Sequence, residues 1–371
     1  MNSTERLLAV HRGEMPDRVP VSTYELVGWN AESFENREPS YRRLMDAIRE
    51  RTDCLYMCGV PVPNSRADEA DVTVENWDDG DQHVTRRVTR VGGRELVRVS
   101  SHSDTVNTTW TLEHPVKDLA DLQAYLGLPF EPGEPDFRRL ERAWRDLEGT
   151  RGLPLVSVGD PICEIAEAFE FGSFTVHAIT ETEAIVAALD RLHERYKARL
   201  RRILTGPVQN VVFRICGPEY ATPPYLPPEL FRRFVTRYDA EYIRMIRAAG
   251  GFPRLHSHGR IGKVLDQIVE MAPDALDPLE PPPDGDVTVA ELKDAVGGRL
   301  CLTGGIELKH LEAGDGGFVE HLVRETMAAG KPGGRFILMP TAAPINIPLS
   351  PKTEDNYQRF IDTALEAGAY D

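Results

Sequence analysis

The chain has 371 residues, with 43 Lys and Arg against 59 Asp and Glu, which gives a formal net charge of −16. This surplus of negative charge would repel a nucleic-acid backbone, so we exclude nucleic acid as a partner. Hydrophobic residues make up 41% and charged residues 27%, which is the balance of a soluble globular protein. No apolar stretch approaches the ~20 residues needed to span a bilayer, so we expect no membrane segment.

The first residues, MNSTER, lack the basic-then-apolar pattern of an export signal, and the five cysteines are few and odd in number. We therefore expect a cytoplasmic protein with reduced thiols. Cys54 and Cys58 form a C-x3-C pair. Because they lie in an apolar run, CLYMCGVP, we expect them to be buried structural residues.

Short apolar runs recur along the chain, and segments with helical spacing follow them, as expected for buried parallel strands joined by helices. The predicted strands cover residues 18–24, 54–58, 153–158, 210–215, 252–256, 275–279, 300–303 and 335–339. The clearest predicted helices cover residues 228–249, 261–271, 288–296, 317–329 and 352–367. Eight strand–helix units predict an α/β fold, a single (β/α)8 barrel domain over residues 1–371.

Residues 71–112 interrupt this order. Their β-like stretches, among them HVTRRVTRV and NTTWTLE, alternate in polarity and are separated by DDGD and GG turns. The pattern predicts an antiparallel hairpin excursion after the second strand, inserted within the barrel.

The most informative short segment is LHSHGR, at the end of the fifth predicted strand. Residues two apart on a strand project to the same face, so His256 and His258 are expected to converge at the carboxyl end of the barrel. Two imidazoles at this spacing suit zinc, but they equally suit acid–base catalysis or substrate binding. The sequence leaves these alternatives open.

Carboxylates follow the neighbouring strands. Glu219 and Tyr220 come after the fourth strand, and Glu280 comes after the sixth. Because these strands are adjacent in a barrel, Glu219 and Glu280 are expected to share a pocket with the two histidines, as metal ligands or as proton carriers. Capping of the next helices is the alternative role for both carboxylates.

Further candidates for substrate binding lie at other strand ends. Tyr24 follows the first strand and, with Tyr220, is predicted to orient the substrate. Asp160 follows the third strand, where Gly-Asp-Pro also fits a helix cap. Arg260 is predicted to hold a substrate carboxylate, and Thr341 supplies a hydroxyl after the eighth strand.

Taken together, these segments resemble the uroporphyrinogen decarboxylase superfamily, and within it the branch related to the corrinoid-dependent methyltransferases. The resemblance rests on RLLAVHRGEMPDRVPV, GPEYATPPYLPPELF, LHSHGRI, DPLEPPPDGD, LTGGIE and NYQRFIDTALEAG. It covers nearly the whole chain, and it implies a (β/α)8 barrel with its pocket at the carboxyl ends of the strands.

The methyltransferase branch implies zinc, held by a His-x-Cys pair and a later Cys. His256 matches the first ligand, His258 stands where the Cys would be, and Ala342 stands in place of the last thiolate. The resemblance thus leads us to expect a divalent metal, zinc, bound by His256, His258 and Glu280. It also implies methyl transfer or O-demethylation of a small molecule, with a corrinoid on a separate partner protein.

The sequence is also compatible with two other functions. One is metal-free decarboxylation, in which Arg260 holds a carboxylate and a histidine protonates the product carbon. The Arg-rich signature of the decarboxylase branch is absent, since the first strand continues as TYELVGWN. The other is a non-catalytic barrel that binds a small molecule.

Overall fold

The computed structural model describes residues 1–370, and its main feature is a parallel sheet of seven strands. The strands of this sheet and of a second, antiparallel sheet are β1 (Cys54–Cys58), β2 (Asp71–Asp79), β3 (Gln82–Val91), β4 (Arg94–Ser103), β5 (Val106–Glu113), β6 (Gly152–Gly159), β7 (Val212–Cys216), β8 (Phe252–His256), β9 (Ala275–Asp277), β10 (Cys301–Ile306) and β11 (Phe336–Pro340). The parallel sheet has the order β1-β6-β7-β8-β9-β10-β11. Successive strands are therefore neighbours, and their carboxyl ends meet at one edge.

Helices separate these strands. They are α1 (Ser3–Arg12), α2 (Phe34–Arg37), α3 (Arg42–Arg51), α4 (Leu119–Leu126), α5 (Arg138–Leu147), α6 (Pro161–Ala168), α7 (Phe171–Thr180), α8 (Thr182–Ile203), α9 (Pro228–Phe231), α10 (Arg237–Ala248), α11 (Leu265–Met271), α12 (Val289–Val296), α13 (Leu308–Ala313), α14 (Gly316–Gly330) and α15 (Pro351–Ala367). A π-helical turn, Arg232–Thr236, joins α9 to α10. No helix within the described residues combines the length and apolarity that a membrane crossing requires.

The predicted strand over 18–24 differs from the other seven. This segment forms only isolated bridges, in which Val21 pairs in parallel with Leu338 of β11 and Arg18 pairs antiparallel with Ala369. On its other side, the Val21 carbonyl accepts a hydrogen bond of 2.7 Å from the Asp53 amide, next to β1. The segment therefore contacts both edge strands of the sheet without forming a regular strand.

The insertion is a separate antiparallel sheet with the order β2-β3-β4-β5. It occupies Asp71–Glu113, close to the predicted 71–112, but it has four strands connected in sequence. The turn glycines Gly80, Gly92 and Gly93 have positive φ values of 65°, 59° and 75°, as the tight connections between these strands require.

Apolar side chains form a cluster on one face of the parallel sheet, at the amino ends of its strands. Leu7 and Val10 of α1 pack there against Leu55, Leu155 and Val212. The larger core lies on the other side, where the strands pack against the helices. The carboxyl ends of β7, β8 and β9 carry a group of buried polar side chains, and the candidate site lies there.

Candidate active site

The buried centre of the site is a chain of hydrogen bonds across three strands. Arg214 of β7 donates from Nη2 to Nε2 of His256 in β8 at 2.8 Å, and Nδ1 of His256 lies 2.9 Å from Oδ2 of Asp277 in β9. Because a guanidinium can only donate, Nε2 of His256 accepts, and Nδ1–H donates to Asp277. Burial and the charge of Arg214 lower the pKa of His256, while Asp277 opposes this shift. His256 is therefore a neutral ring with both nitrogens engaged.

Asp277 is also bound by Arg254, which donates hydrogen bonds to both of its carboxylate oxygens. The two side chains are almost completely buried, at 1% and 0% exposure. Burial alone would raise the pKa of Asp277, but the charge of Arg254 and the contact with His256 hold it well below its usual range. Asp277 therefore stays ionised and fixes the orientation of His256.

Tyr24 covers the other side of Arg214. Its hydroxyl accepts a hydrogen bond from Arg214, whose guanidinium carbon lies 5.2 Å from the Tyr24 ring centre. Burial raises the pKa of Tyr24, so the phenol keeps its proton and is able to donate it to a ligand. Tyr24 has a φ of 55°, an unusual conformation for a residue with a side chain, and such outliers are often found at functional sites.

Arg214 has spare hydrogen-bonding capacity. Its Nε is buried and has no hydrogen-bond partner among residues 1–370. The nearest carboxylate to its Nη1 is Glu25, at 3.9 Å, and that side chain is 48% exposed. A buried cation without a close carboxylate is a suitable contact for an anionic group of a ligand.

His258 forms a second polar pair with Glu280. Its Nδ1 lies 2.6 Å from Oε1 of Glu280, whose Oε2 accepts from the Gly259 amide at 2.8 Å. Burial opposes a charge on His258, but Glu280 outweighs it and raises the pKa of the histidine. The His258 side chain is 37% exposed, and its ring centre lies 4.8 Å from that of His256, at 84° between the planes. His258 is thus paired with a carboxylate and is accessible to solvent.

Glu307, which follows β10, adds a carboxyl group with an unusual environment. Its Oε2 accepts a hydrogen bond of 3.1 Å from the Thr341 hydroxyl, while its Oε1 is buried and has no partner among the described residues. Burial, and then the nearby charge of Glu280, raise the pKa of Glu307 to about 7. Thr341 therefore contacts this carboxyl group, and its exposure is only 3%.

Several predicted site residues have other roles in the structure. Asp160 is fully buried, and its Oδ1 caps α6 by accepting from the Cys163 amide at 2.8 Å. Tyr220 turns toward α6, where its hydroxyl donates to Glu167 at 3.4 Å. Both side chains are thus directed toward α6 in the structure, and their contact with a substrate stays a prediction.

The two remaining predicted residues lie closer to solvent. Glu219 accepts a hydrogen bond of 2.9 Å from the Gly217 amide, so its carboxylate is partly engaged by its own loop. Arg260 is exposed, and its guanidinium forms no ion pair with another residue of the described chain. Arg214, by contrast, is buried, while the role of Arg260 in holding a substrate carboxylate stays a prediction.

The predicted metal set does not fit this arrangement. Among residues 1–370, no three or more His, Cys, Asp or Glu side chains are grouped so as to hold a metal ion. The one lone pair of His256 that a metal requires accepts from Arg214, and a metal cation there would also face the guanidinium charge. His258 and Glu280 bind each other. The prediction of zinc at His256, His258 and Glu280 therefore finds no support in these contacts.

Sequence reasoning missed Asp277, Arg254 and Glu307. A usable signal existed for two of them: Arg254 and Asp277 are charged residues inside otherwise apolar strands, FPRLH and ALD, where a charge is retained only if it is paired. Arg254, His256 and His258 also follow each other at alternate positions, which predicts a common face. Glu307 carries no comparable signal.

Comparison with known proteins identifies the family to which this chain belongs. The family model described as uroporphyrinogen decarboxylase (URO-D) matches residues 170–365, which is more than half of the chain. The chain belongs to the uroporphyrinogen decarboxylase family, which confirms the resemblance seen in the sequence.

Among solved structures, the chain is similar to a methyltransferase from Methanosarcina mazei. The TM-score is 0.61 and the sequence identity is 15%, over 99% of each chain. At this identity the likeness concerns the fold. None of the curated proteins matches the chain.

Proposed function

We propose that this protein is an enzyme that removes a carboxyl group from a small organic acid by acid–base chemistry, without a metal. The observation that carries the proposal is Arg214, a buried cation with an unpartnered Nε beside the protonated Tyr24. Membership of the uroporphyrinogen decarboxylase family supports a decarboxylation, and the occupied lone pair of His256 argues against metal ligation at that ring.

Each residue has a distinct part in this proposal. Arg214 and Tyr24 bind the substrate carboxylate, and Arg254 and Asp277 position His256 beside Arg214. The bond from the substrate carbon to the carboxylate breaks, CO2 leaves, and the electron pair remains on the carbon. His258, whose pKa is raised by Glu280, then donates a proton to that carbon in its acid form and regains one from water. The substrate must therefore be one that delocalises a carbanion.

Methyl transfer is the second candidate, and the likeness to the Methanosarcina mazei methyltransferase over 99% of both chains favours it. It corresponds to the sequence-based prediction of zinc at His256, His258 and Glu280, with a corrinoid on a partner protein. It would require His256 to exchange Arg214 for the metal. Metal analysis of the purified protein, compared with that of His256→Ala, separates the two candidates: one bound metal that is lost in the variant favours methyl transfer.

We also propose that the parallel sheet closes as an eight-stranded barrel. The segment around Val21 would be the eighth member, since it bonds to β11 on one side and to Asp53, beside β1, on the other. In this proposal residues 1–371 form one domain, with the antiparallel sheet as an insertion.

The decarboxylation is tested by following CO2 release from a panel of aromatic, heteroaromatic and β-keto carboxylic acids. With an acid that reacts, His258→Gln is expected to lower kcat by about 10²–10⁴-fold, as for loss of a general acid. The control His321→Gln removes an exposed histidine that pairs with Glu325, and it should leave kcat unchanged. Arg214→Met should raise KM strongly. Binding without CO2 release across the panel would instead indicate a non-catalytic protein.

The pH dependence provides a second test of the role of His258. Because the acid form of His258 is active, kcat falls as pH rises through the pKa of that residue. Glu280 raises this pKa, so Glu280→Gln is expected to move the fall in activity to lower pH. An unchanged pH profile in Glu280→Gln would show that His258 does not supply the proton.

A further inference from the structure

A cavity of about 480 Å³ lies between the antiparallel sheet and helices α4, α6 and α8, lined by residues other than those of the candidate active site. Its volume is within the range of roughly 300–1,000 Å³ that is typical of small-molecule sites. The sheet contributes two rows of side chains to it. Val72, Thr89 and Leu96 form one cross-strand row, and Arg87 pairs directly with Arg98 in the next.

The pairing of Arg87 with Arg98 is unusual. Like charges at directly opposite positions on neighbouring strands destabilise a sheet. In the part of the chain that the structure describes, neither guanidinium forms an ion pair with a carboxylate, and Arg98 donates only to the Thr111 hydroxyl, at 3.0 Å. Both arginines line the cavity and are exposed, so solvent and ligands have access to them.

On the other face of strand β3, the arginines pair with carboxylates, as exposed arginines in a sheet commonly do. There Arg86 pairs with Glu75 at 3.1 Å, and Arg90 pairs with Glu95 at 2.8 Å. In a chain with 59 acidic residues, two adjacent arginines on the cavity side thus lack the carboxylate partners that their neighbours have. This contrast points to an anion from outside the chain.

The helix side of the cavity has a different character. Tyr125 and Tyr196 present aromatic rings there, beside the buried Ala168. The acidic Glu164 is already engaged, since it accepts from the Tyr125 hydroxyl at 3.2 Å and lies 3.6 Å from Arg199. Glu167, the other acid of this wall, accepts from Tyr220. This side therefore suits an apolar or aromatic group.

We propose that this cavity binds a small organic anion, with its charged group on Arg87 and Arg98 and its apolar part against Tyr125 and Tyr196. The proposal does not depend on the reaction at the strand ends. The site lies between the antiparallel sheet and the helices, so an occupied cavity would also hold this sheet against α6 and α8.

The test uses 8-anilinonaphthalene-1-sulfonate, which carries a sulfonate on an aromatic body and fluoresces in apolar surroundings. We expect saturable binding to the full chain and competition by inorganic phosphate. The double variant Arg87→Gln/Arg98→Gln should weaken binding by at least tenfold, since it removes two charge-assisted contacts. The matched control Arg86→Gln/Arg90→Gln makes the same change of charge on the opposite face of the sheet, in strand β3. The affinity of this control variant for the probe should be within twofold of that of the parent protein.

A second variant, Thr89→Trp, fills the cavity from the sheet side and should also prevent binding. Circular dichroism and thermal unfolding of each variant identify any loss of folding. Equal weakening in both double variants would show a general charge effect and overturn the proposal. Binding that persists in both Arg87→Gln/Arg98→Gln and Thr89→Trp would place the probe elsewhere and overturn it as well.

Discussion

Asp277 accepts hydrogen bonds from Arg254 and His256 in a place without solvent. A buried carboxylate of this kind is stable only while its cation remains, because the cost of removing its charge from water is offset by that partner. Arg254 and Asp277 are 23 positions apart in sequence, on the neighbouring strands β8 and β9. The pair therefore links the position of the imidazole to the correct pairing of β8 with β9.

We predict that Arg254→Met destabilises the protein by about 3–5 kcal/mol, because it leaves the charge of Asp277 buried and unpaired. Unfolding in urea measures this change. The control Arg232→Met removes an arginine that pairs with Glu270 at the surface, where the two side chains are 48% and 59% exposed, and it should cost no more than about 1 kcal/mol. Similar losses in both variants would contradict this account of Asp277.

The start of helix α6 shows how a polar residue at a strand end can have a structural role instead of a role in the site. The N-cap of α6 is Asp160, and Pro161 occupies the first helical turn. The Asp160 carboxyl group lies next to that of Asp239 in α10, and burial, together with this neighbour, raises its pKa well above the usual value. The Asp160 side chain therefore lies between α6 and α10.

For Asp160 we predict that Asp160→Asn, whose side-chain oxygen still accepts from the Cys163 amide, keeps the stability of the parent within about 1 kcal/mol, whereas Asp160→Ala loses about 1–2 kcal/mol. Thermal unfolding measures both. With a substrate from the carboxylic acid panel, KM should be unchanged in Asp160→Asn. A large rise in KM would instead support the sequence-based prediction that Asp160 contacts substrate.

For individual strands and helices, much of the fold can be predicted from the sequence. The predicted strands over 54–58 and 252–256 coincide with β1 and β8, and the predicted helix over 352–367 begins one residue after α15 does. These elements are apolar or amphipathic runs with clear ends, so local pattern defines them. The segment 18–24 was harder to predict. Its apolar character fits a strand, but only Val21 forms a parallel bridge.

The site itself was less predictable, for a physical reason. The face of β8 that carries Arg254 and His256 follows from the alternation of side chains along a strand. Which partner each ring takes depends on strands distant in sequence: Arg214 is 42 residues from His256. A sequence that offers several acids and bases at strand ends does not specify these pairs.

Across the whole molecule, the contacts of Val21 determine whether the sheet is open or closed. The Ser22 amide donates to Leu338 at 3.0 Å, and the Leu338 amide donates to Pro20 at the same distance. We predict that hydrogen exchange at Ser22 and Asp53 is as slow as at Leu338 itself, because a closed barrel has no free edge. Hydrogen-exchange mass spectrometry over residues 19–23, 53–58 and 336–340 measures this. Fast exchange in 19–23 alone would show an open sheet.

Helix α1 brings Leu7 and Val10 into the apolar cluster at the amino ends of the strands. That end is filled with side chains, so molecules have no passage through the sheet and must arrive and depart at the opposite rim. Substrate and product must then enter and leave through the same opening, and either one prevents the other from binding while it is bound. Inhibition by the product should accordingly be competitive, with a turnover that slows as material accumulates.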